Sequence, residues 1–208
     1  MLIFKPANLY FFCLLVSSFE CSITANAQKH KLDHYSIAVT TLHTNLPFGS
    51  FSSLFTSDIH PGIEAAADIK WKEKPRHEWY QEFLSGYTYH RWVQHSISLY
   101  TAAGYRYKFP RGFYAEGAIG AGYLQAIPDS KVFKLQNNGT YKKKINFGRP
   151  QFLAVFDMGI GKIFTSGKTI FLKYQQRLQT PFIKSYVPVL PANMMQLGIA
   201  FPFRNNKH

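Results

Sequence analysis

The chain has 208 residues, a length that fits a single domain or a single barrel. Charged residues make up 17% and aromatic residues another 17%, a composition that excludes a disordered chain and a coiled coil. Lysine and arginine outnumber aspartate and glutamate by 24 to 11, and the resulting charge of +13 indicates acidic partners, with nucleic acid and anionic lipid as the classes to weigh.

The first 27 residues have the pattern of a secretory signal peptide. Lys5 supplies a positive start, residues 9–16 (LYFFCLLV) an apolar stretch, and residues 25–27 (Ala-Asn-Ala) a cleavage site. The apolar stretch falls well short of the roughly 20 residues that span a bilayer as a helix, which disfavours an anchor. A lipoprotein signal at Cys21 is also disfavoured, because Glu20 and not a small residue precedes that cysteine. We expect cleavage near Ala27.

Both cysteines of the chain, Cys13 and Cys21, lie in this leader. The mature chain is therefore expected to have neither a disulfide nor thiolate chemistry. The leader contains one base and one acid, so its removal leaves the charge of +13 unchanged. A secreted chain is separated from nucleic acid, which leaves anionic lipid as the expected acidic partner.

The mature chain shows alternation of apolar and polar residues instead of helical periodicity. The pattern is clearest where Ile170, Leu172 and Tyr174 alternate with Lys173 and Gln175. Eight such runs occur, at residues 34–43, 62–72, 76–90, 94–108, 112–127, 150–164, 168–182 and 192–203. Most reach the roughly 9–11 residues of a tilted membrane-spanning strand. The sequence predicts an all-β fold, an eight-stranded antiparallel up-and-down transmembrane β-barrel over residues 28–203, followed by a short tail at 204–208.

The connections between the runs alternate in length. Those after even-numbered runs are very short, at residues 73–75, 109–111 and 165–167. Those after odd-numbered runs are longer, at 44–61, 128–149 and 184–191, with 91–93 as the exception. Outer-membrane barrels have short periplasmic turns and long outer loops. This predicts that the chain ends and the short turns share the periplasmic end.

The polar face of the runs predicts a closed lumen. It holds six acids and six bases: Glu64, Asp68, Glu78, Glu82, Glu116 and Asp157 with Lys70, Lys72, Arg106, Lys108, Lys173 and Arg177. Charges withdrawn from water need partners, and side chains nearly fill the interior of an eight-stranded barrel. A balanced set of charges therefore indicates a blocked lumen and not a pore.

The opposite face of the runs is apolar and predicts contact with lipid. Ile97, Leu99, Phe156, Leu172 and Ile199 are typical of it, and aromatic residues gather near the run ends as interfacial girdles do. A soluble lipocalin-like binding barrel is the alternative. That alternative would turn these side chains inward and expose the charged set.

Four segments carry a resemblance to a known family: the Ala-Asn-Ala-Gln site at 25–28, Gly-Tyr-Thr-Tyr-His at 86–90, Gly-Tyr-Arg-Tyr-Lys at 104–108 and Gln-Leu-Gly-Ile-Ala-Phe-Pro-Phe at 196–203. The chain resembles the small eight-stranded outer-membrane barrels of the OmpA and PagL-like groups, especially the Bacteroidota type. The resemblance implies an outer-membrane location, insertion by the barrel-assembly machinery through the last strand, and no cofactor. It implies a structural or surface-interaction role.

An enzymatic role is the alternative that the resemblance brings. PagL-like proteins are lipid A deacylases with a His-x-Ser pair near the outer leaflet. The one such pair here, His34-Tyr35-Ser36, begins the first run and thus lies at the periplasmic end. His95 lies at the outer end, yet Ser98 is three residues away and on the opposite strand face. His95 is kept as a candidate for catalysis, and the histidines show no metal-ligand spacing.

A strongly basic connection is the candidate binding segment. Residues 128–149 contain six bases against Asp129, namely Lys131, Lys134, Lys142, Lys143, Lys144 and Arg149. The segment is a candidate to bind the phosphates of lipopolysaccharide or another anionic ligand by charge-assisted contacts. A solvated loop that merely lies among anionic head groups is the alternative, and a small-molecule ligand is unknown.

Overall fold

A computed structural model describes residues 32–43, 60–91, 94–129, 132–135, 141–144, 146–181 and 189–203. The predicted leader, its cleavage site and the tail at 204–208 lie outside the described residues. These residues belong to one compact unit, Leu32–His208.

The described residues form ten strands. They are β1 (Leu32–His43), β2 (His60–Glu73), β3 (His77–His90), β4 (Gln94–Lys108), β5 (Phe113–Pro128), β6 (Val132–Leu135), β7 (Tyr141–Lys144), β8 (Arg149–Ile163), β9 (Thr169–Thr180) and β10 (Leu190–Pro202). A 3-10 turn, Pro110–Gly112, joins β4 to β5. No helix among the described residues has the length and apolar character needed to cross a membrane.

Eight of the strands close into a barrel in the order β1-β10-β9-β8-β5-β4-β3-β2. Every neighbouring pair is antiparallel, including the closing pair of β1 with β10, in which Ile37 lies opposite Ile199. Strands adjacent in sequence are adjacent in the barrel. The predicted eight-stranded antiparallel up-and-down barrel is confirmed.

The two remaining strands were not predicted. β6 and β7 pair with each other as a separate two-stranded sheet within the connection from β5 to β8. The sequence indicated an extended loop there, because four-residue strands are too short to give a clear alternation.

Alternation sorts the side chains onto the two faces of the barrel wall. Along β4 every second residue from Gln94 to Arg106 is buried, while the residues between them are wholly or partly exposed. The short connections at 74–76, 109–112 and 164–168 lie at one end, together with the first residue of β1 and the last residue of β10. We call this the short-turn end and the opposite one the long-loop end.

Lys72 departs from the predicted face. The pairing of β2 with β3 shifts between Lys70 and Lys72, so that Lys72 lies opposite Trp79 instead of continuing the lumen series. Lys72 is exposed and lines an external depression with Trp79 and Tyr105. Its assignment to the lumen was wrong, because a β-bulge changes which face the following residue occupies.

Candidate functional site

The lumen contains a buried network of charges. All nine residues of the core set predicted for the lumen are buried, at 9% exposure or less: Glu64, Asp68, Glu78, Glu82, Arg106, Glu116, Asp157, Lys173 and Arg177. Lys70 and Lys108 are partly exposed at the short-turn end, with about a fifth of each side chain accessible. The lumen therefore has fewer fully buried bases than acids.

Arg106, near the short-turn end, contacts two carboxylates and two aromatic rings. Its Nη1 donates to Glu78 Oε1 at 2.6 Å and its Nε donates to Glu116 Oε2 at 2.8 Å. The guanidinium carbon lies 4.7 Å from the ring centre of Tyr80 and 4.6 Å from that of Tyr114. Two carboxylates and two aromatic faces thus offset the cost of burying this cation.

Glycines make room for these two rings. A Cβ atom on Gly104 would collide with the Tyr80 ring, and one on Gly161 would collide with the Tyr114 ring. Each ring therefore packs against the backbone of the glycine that lies opposite it on the neighbouring strand. The glycines allow large side chains to fill a narrow interior without displacing Arg106.

Two further cations reach across the lumen. Lys173 Nζ of β9 lies 2.8 Å from Glu82 Oε1 of β3 and 3.2 Å from Glu116 Oε1 of β5. Arg177 Nη2 donates to Glu64 Oε2 of β2 at 2.7 Å. These pairs connect strands that are not neighbours in the barrel, so they cross the interior and close it.

Glu64 has the most complete set of donors. The Tyr100 hydroxyl donates to its Oε2 at 2.7 Å, and Gln196 Nε2 donates to its Oε1 at 2.9 Å, in addition to the Arg177 contact. Asp157 differs, because it is buried and its Oδ1 has no hydrogen-bond partner among the described residues.

The space left in the lumen is small. A polar cavity of about 170 Å³ lies at the short-turn end, lined by Asp68, Lys70, Arg106, Lys173 and other residues of the network. Beyond it the interior is filled by fully buried side chains, among them Gln175, Gln179, Asn193 and Met194. Among the described residues, side chains therefore occupy the interior between this cavity and the long-loop end.

The outer wall at the long-loop end has a second polar cluster around His95. His95 Nδ1 lies 2.7 Å from the Tyr87 hydroxyl, and its Nε2 lies 3.4 Å from Asp129 Oδ1. The Tyr89 hydroxyl donates to Asp129 Oδ2 at 3.4 Å, and its ring centre is 4.8 Å from that of His95. We call Tyr87, Tyr89, His95 and Asp129 the His95 cluster.

Sequence reasoning identified His95 but missed its partners. The short connection at 91–93 sets the register that puts Tyr89 opposite His95, so this neighbour could have been found. Asp129 is 34 residues away and follows the end of β5, and the pairing of β4 with β5 brings it close. Ser98 is buried and its hydroxyl donates to the Gly86 carbonyl oxygen at 3.4 Å, so the structure does not bring it to His95.

Most side chains of the predicted basic binding segment lie outside the described part of the structure. Lys131 and the side chains of Lys134, Lys142, Lys143 and Lys144 lie outside the described residues. The backbone of β6 and β7 carries four of these lysines, and Arg149 is exposed at the start of β8. Within the described ranges no three His, Asp or Glu side chains converge as a metal site.

Comparisons with known proteins bear on the fold. No protein-family model matches the chain, and no curated protein matches it. Among solved structures, Neisserial surface protein A is 9% identical with a TM-score of 0.55, and the alignment covers 82% of this chain and 97% of that one. The fold is that of small outer-membrane barrels.

Two further solved structures give weaker alignments. The outer membrane enzyme PagL is 13% identical over 82% of this chain and 99% of that one, with a TM-score of 0.48. Ail, the attachment invasion locus protein of Yersinia pestis, is 11% identical over 83% and 100%, with a TM-score of 0.42. We draw no functional argument from either.

Proposed function

We propose that the chain is an integral outer-membrane β-barrel with a closed lumen, which acts through its surface in a structural or surface-interaction role. The observation that carries the proposal is the charge network of Arg106, Lys173 and Arg177 inside a wall that is apolar outside. Val39, Leu99 and Ile119 are each 63–66% exposed on that wall. An apolar surface of this extent favours lipid over water. The arrangement is the reverse of a soluble lipocalin-like barrel.

The membrane location is tested by fractionation. We expect the protein in purified outer membranes, with a heat-dependent shift in gel mobility and an N-terminus at Gln28. We also infer that the barrel-assembly machinery inserts it by way of the last strand, where Leu197 and Ile199 alternate on the outer face. Recovery in the soluble periplasm would contradict the proposal.

The closed lumen is tested by conductance. Purified protein reconstituted in planar bilayers should give no stepwise conductance. Removal of a cross-lumen pair by Lys173→Ser with Glu82→Ser should allow a small ion leak, whereas Lys72→Ser on the outer wall should not. Steps from the wild-type protein would overturn the closed lumen and leave the location intact.

The surface role that we propose is binding of lipopolysaccharide phosphates by the basic segment of Lys131, Lys134, Lys142, Lys143, Lys144 and Arg149. Charge-assisted contacts from several bases to phosphate support it. Lys142→Gln, Lys143→Gln and Lys144→Gln together should weaken binding of lipopolysaccharide to the purified protein. Lys72→Gln with Lys74→Gln, at the short-turn end, should leave it unchanged. Equal loss in both variants would contradict a site in the segment.

A second candidate function is hydrolysis of lipid A, which the His95 cluster favours. A histidine in contact with a carboxylate and a hydroxyl is an arrangement that supports general base chemistry. Lipid A from cells with and without the gene should then differ by an acyl chain in mass spectra, and His95→Ala should abolish the difference. Identical lipid A from both cells would remove this candidate.

A further inference from the structure

An external groove lies on the barrel wall at the short-turn end. It has a volume of about 490 Å³ and runs across the outer faces of β5, β8, β9 and β10. Its walls include Phe109, Phe113, Ile160, Phe164, Leu172 and Leu197. These large side chains are all at least 41% exposed, so they present their apolar surfaces outward and not to the core.

The depth of the groove comes from Ala115. On the outer face Ala115 lies opposite Ile160, while the next outward pair toward the short-turn end is Phe113 with Lys162. A methyl group beside a phenyl ring leaves a recess in the wall. Ile160 and Phe164 are four residues apart, which corresponds to roughly 13 Å at about 3.3 Å per residue. The recess is therefore elongated along the direction of β8.

Lys162 is the one charged side chain among the described residues that line the groove. Its Nζ lies 5.0 Å from the ring centre of Phe113 and 5.6 Å from that of Phe164. Outward residues of β8 are apolar from Phe152 to Ile160, and the charge comes just before the strand ends. A lysine on an apolar wall directs its ammonium group toward the membrane interface.

We propose that this groove binds one anionic phospholipid from the leaflet at the short-turn end. An acyl chain would occupy the apolar recess and the phosphate would contact Lys162 Nζ. Complementary charge supports an anionic head group, and Lys168 and Arg111, both exposed at the same end, add to the positive potential. Lipopolysaccharide is excluded as occupant because the proposed orientation puts it at the long-loop end. The inference rests on the proposed membrane location.

Native mass spectrometry of the protein released from detergent tests the site. Phosphatidylglycerol and phosphatidylcholine with the same acyl chains would be titrated separately. We expect one phosphatidylglycerol to bind about fivefold more tightly than phosphatidylcholine, the effect of roughly 1 kcal/mol for one lysine near a phosphate. Lys162→Gln should remove most of this preference, with a small part retained through Lys168 and Arg111, and leave phosphatidylcholine binding unchanged.

Two further variants separate the groove from general attraction. Ala115→Phe should fill the recess and weaken both lipids, with heat modifiability as the check on folding. Lys72→Gln, at the same end but outside the groove, should behave as wild type. Equal binding of both lipids by the wild type, equal loss in Lys72→Gln and Lys162→Gln, or a protein dimer in place of lipid adducts would each overturn the site. A protein absent from the outer membrane would instead contradict the proposed function.

Discussion

Lys173 and Glu82 face each other from opposite sides of the barrel. In the strand order, β9 and β3 are four positions apart in a ring of eight, and the Nζ and Oε1 atoms are 2.8 Å apart. One pair therefore spans the full diameter of the lumen. A long cationic side chain is needed for this reach, and the single contact connects the two halves of the wall.

Removal of either partner should therefore be costly. Lys173→Ala leaves the buried Glu82 without its cation, and Glu82→Ala leaves Lys173 with Glu116 alone, so the first should reduce the free energy of unfolding by about 3–5 kcal/mol and the second by less. The double variant should cost less than the sum of the single ones. Urea unfolding in lipid vesicles measures these values. Strict additivity would mean that the two charges do not interact.

The same argument applies to Arg106, with a larger set of partners. Arg106→Ala removes the ion pairs with Glu78 and Glu116 and two ring contacts, leaving these carboxylates with lysine partners only, so it should cost at least as much as Lys173→Ala in the same unfolding assay. Lys162→Ala on the outer wall is the matched control and should change stability by less than about 0.5 kcal/mol. A small effect at Arg106 would contradict the buried network.

Asp157 and Glu116 give a contrast within the lumen. Glu116→Gln removes a charge that Arg106 and Lys173 both contact and should be destabilising. Asp157→Asn replaces a buried carboxylate whose Oδ1 has no hydrogen-bond partner, so it should be neutral or stabilising. Parallel unfolding curves decide between the two expectations. A marked loss of stability in Asp157→Asn would indicate that the charge of this carboxylate is needed for its interactions with Gln175 and Lys173.

The glycines beneath the rings give another matched pair. Gly104→Ala should force the Tyr80 ring away from Arg106 and cost about 1–3 kcal/mol, as overpacking does. Gly117→Ala is the control, because its Cβ would meet a backbone oxygen of Asp157 at an ordinary 3.7 Å. Equal thermal stability of the two variants would show that the Tyr80 ring can move freely.

The outward face is tested by charge and by chemical labelling. Arg in place of Leu172 or Ile199 should be destabilising, by less than the roughly 2–4 kcal/mol that applies at the membrane midplane because both residues lie toward the short-turn end. Cysteine at Leu172 should react with membrane-confined reagents, whereas cysteine at Lys173 should not. If the Lys173→Cys variant took up the lipid-phase reagent, the faces of β9 would be inverted.

Alternation was sufficient to predict the eight strands, because each is long enough for a period of two to be read without ambiguity. It was also sufficient to assign residues such as Glu64 and Lys173 to the inner face. It failed at Lys72, because a bulge inserts one residue without altering the composition of the strand. It could not show that Tyr80 and Tyr114 enclose Arg106, since that contact depends on space left by glycines on other strands.

The His95 cluster shows a second limit of sequence reasoning. A histidine alone gives no sign of its partners, and three of the four members come from the β3–β4 hairpin while the fourth, Asp129, follows the end of β5. Contacts across strands depend on register, which a short turn fixes closely and a long connection does not.

The ion pairs across the lumen also constrain the order in which the protein assembles. Lys173 and Glu82 are 91 residues apart in sequence, and Arg177 and Glu64 are 113 apart. A chain that had inserted β2 to β4 alone would present Glu64 and Glu82 to the membrane interior without their cations. On the proposed membrane location, we therefore expect insertion of the strands to be coupled to closure of β1 against β10, with a slow, late closing step because these contacts are so distant in sequence.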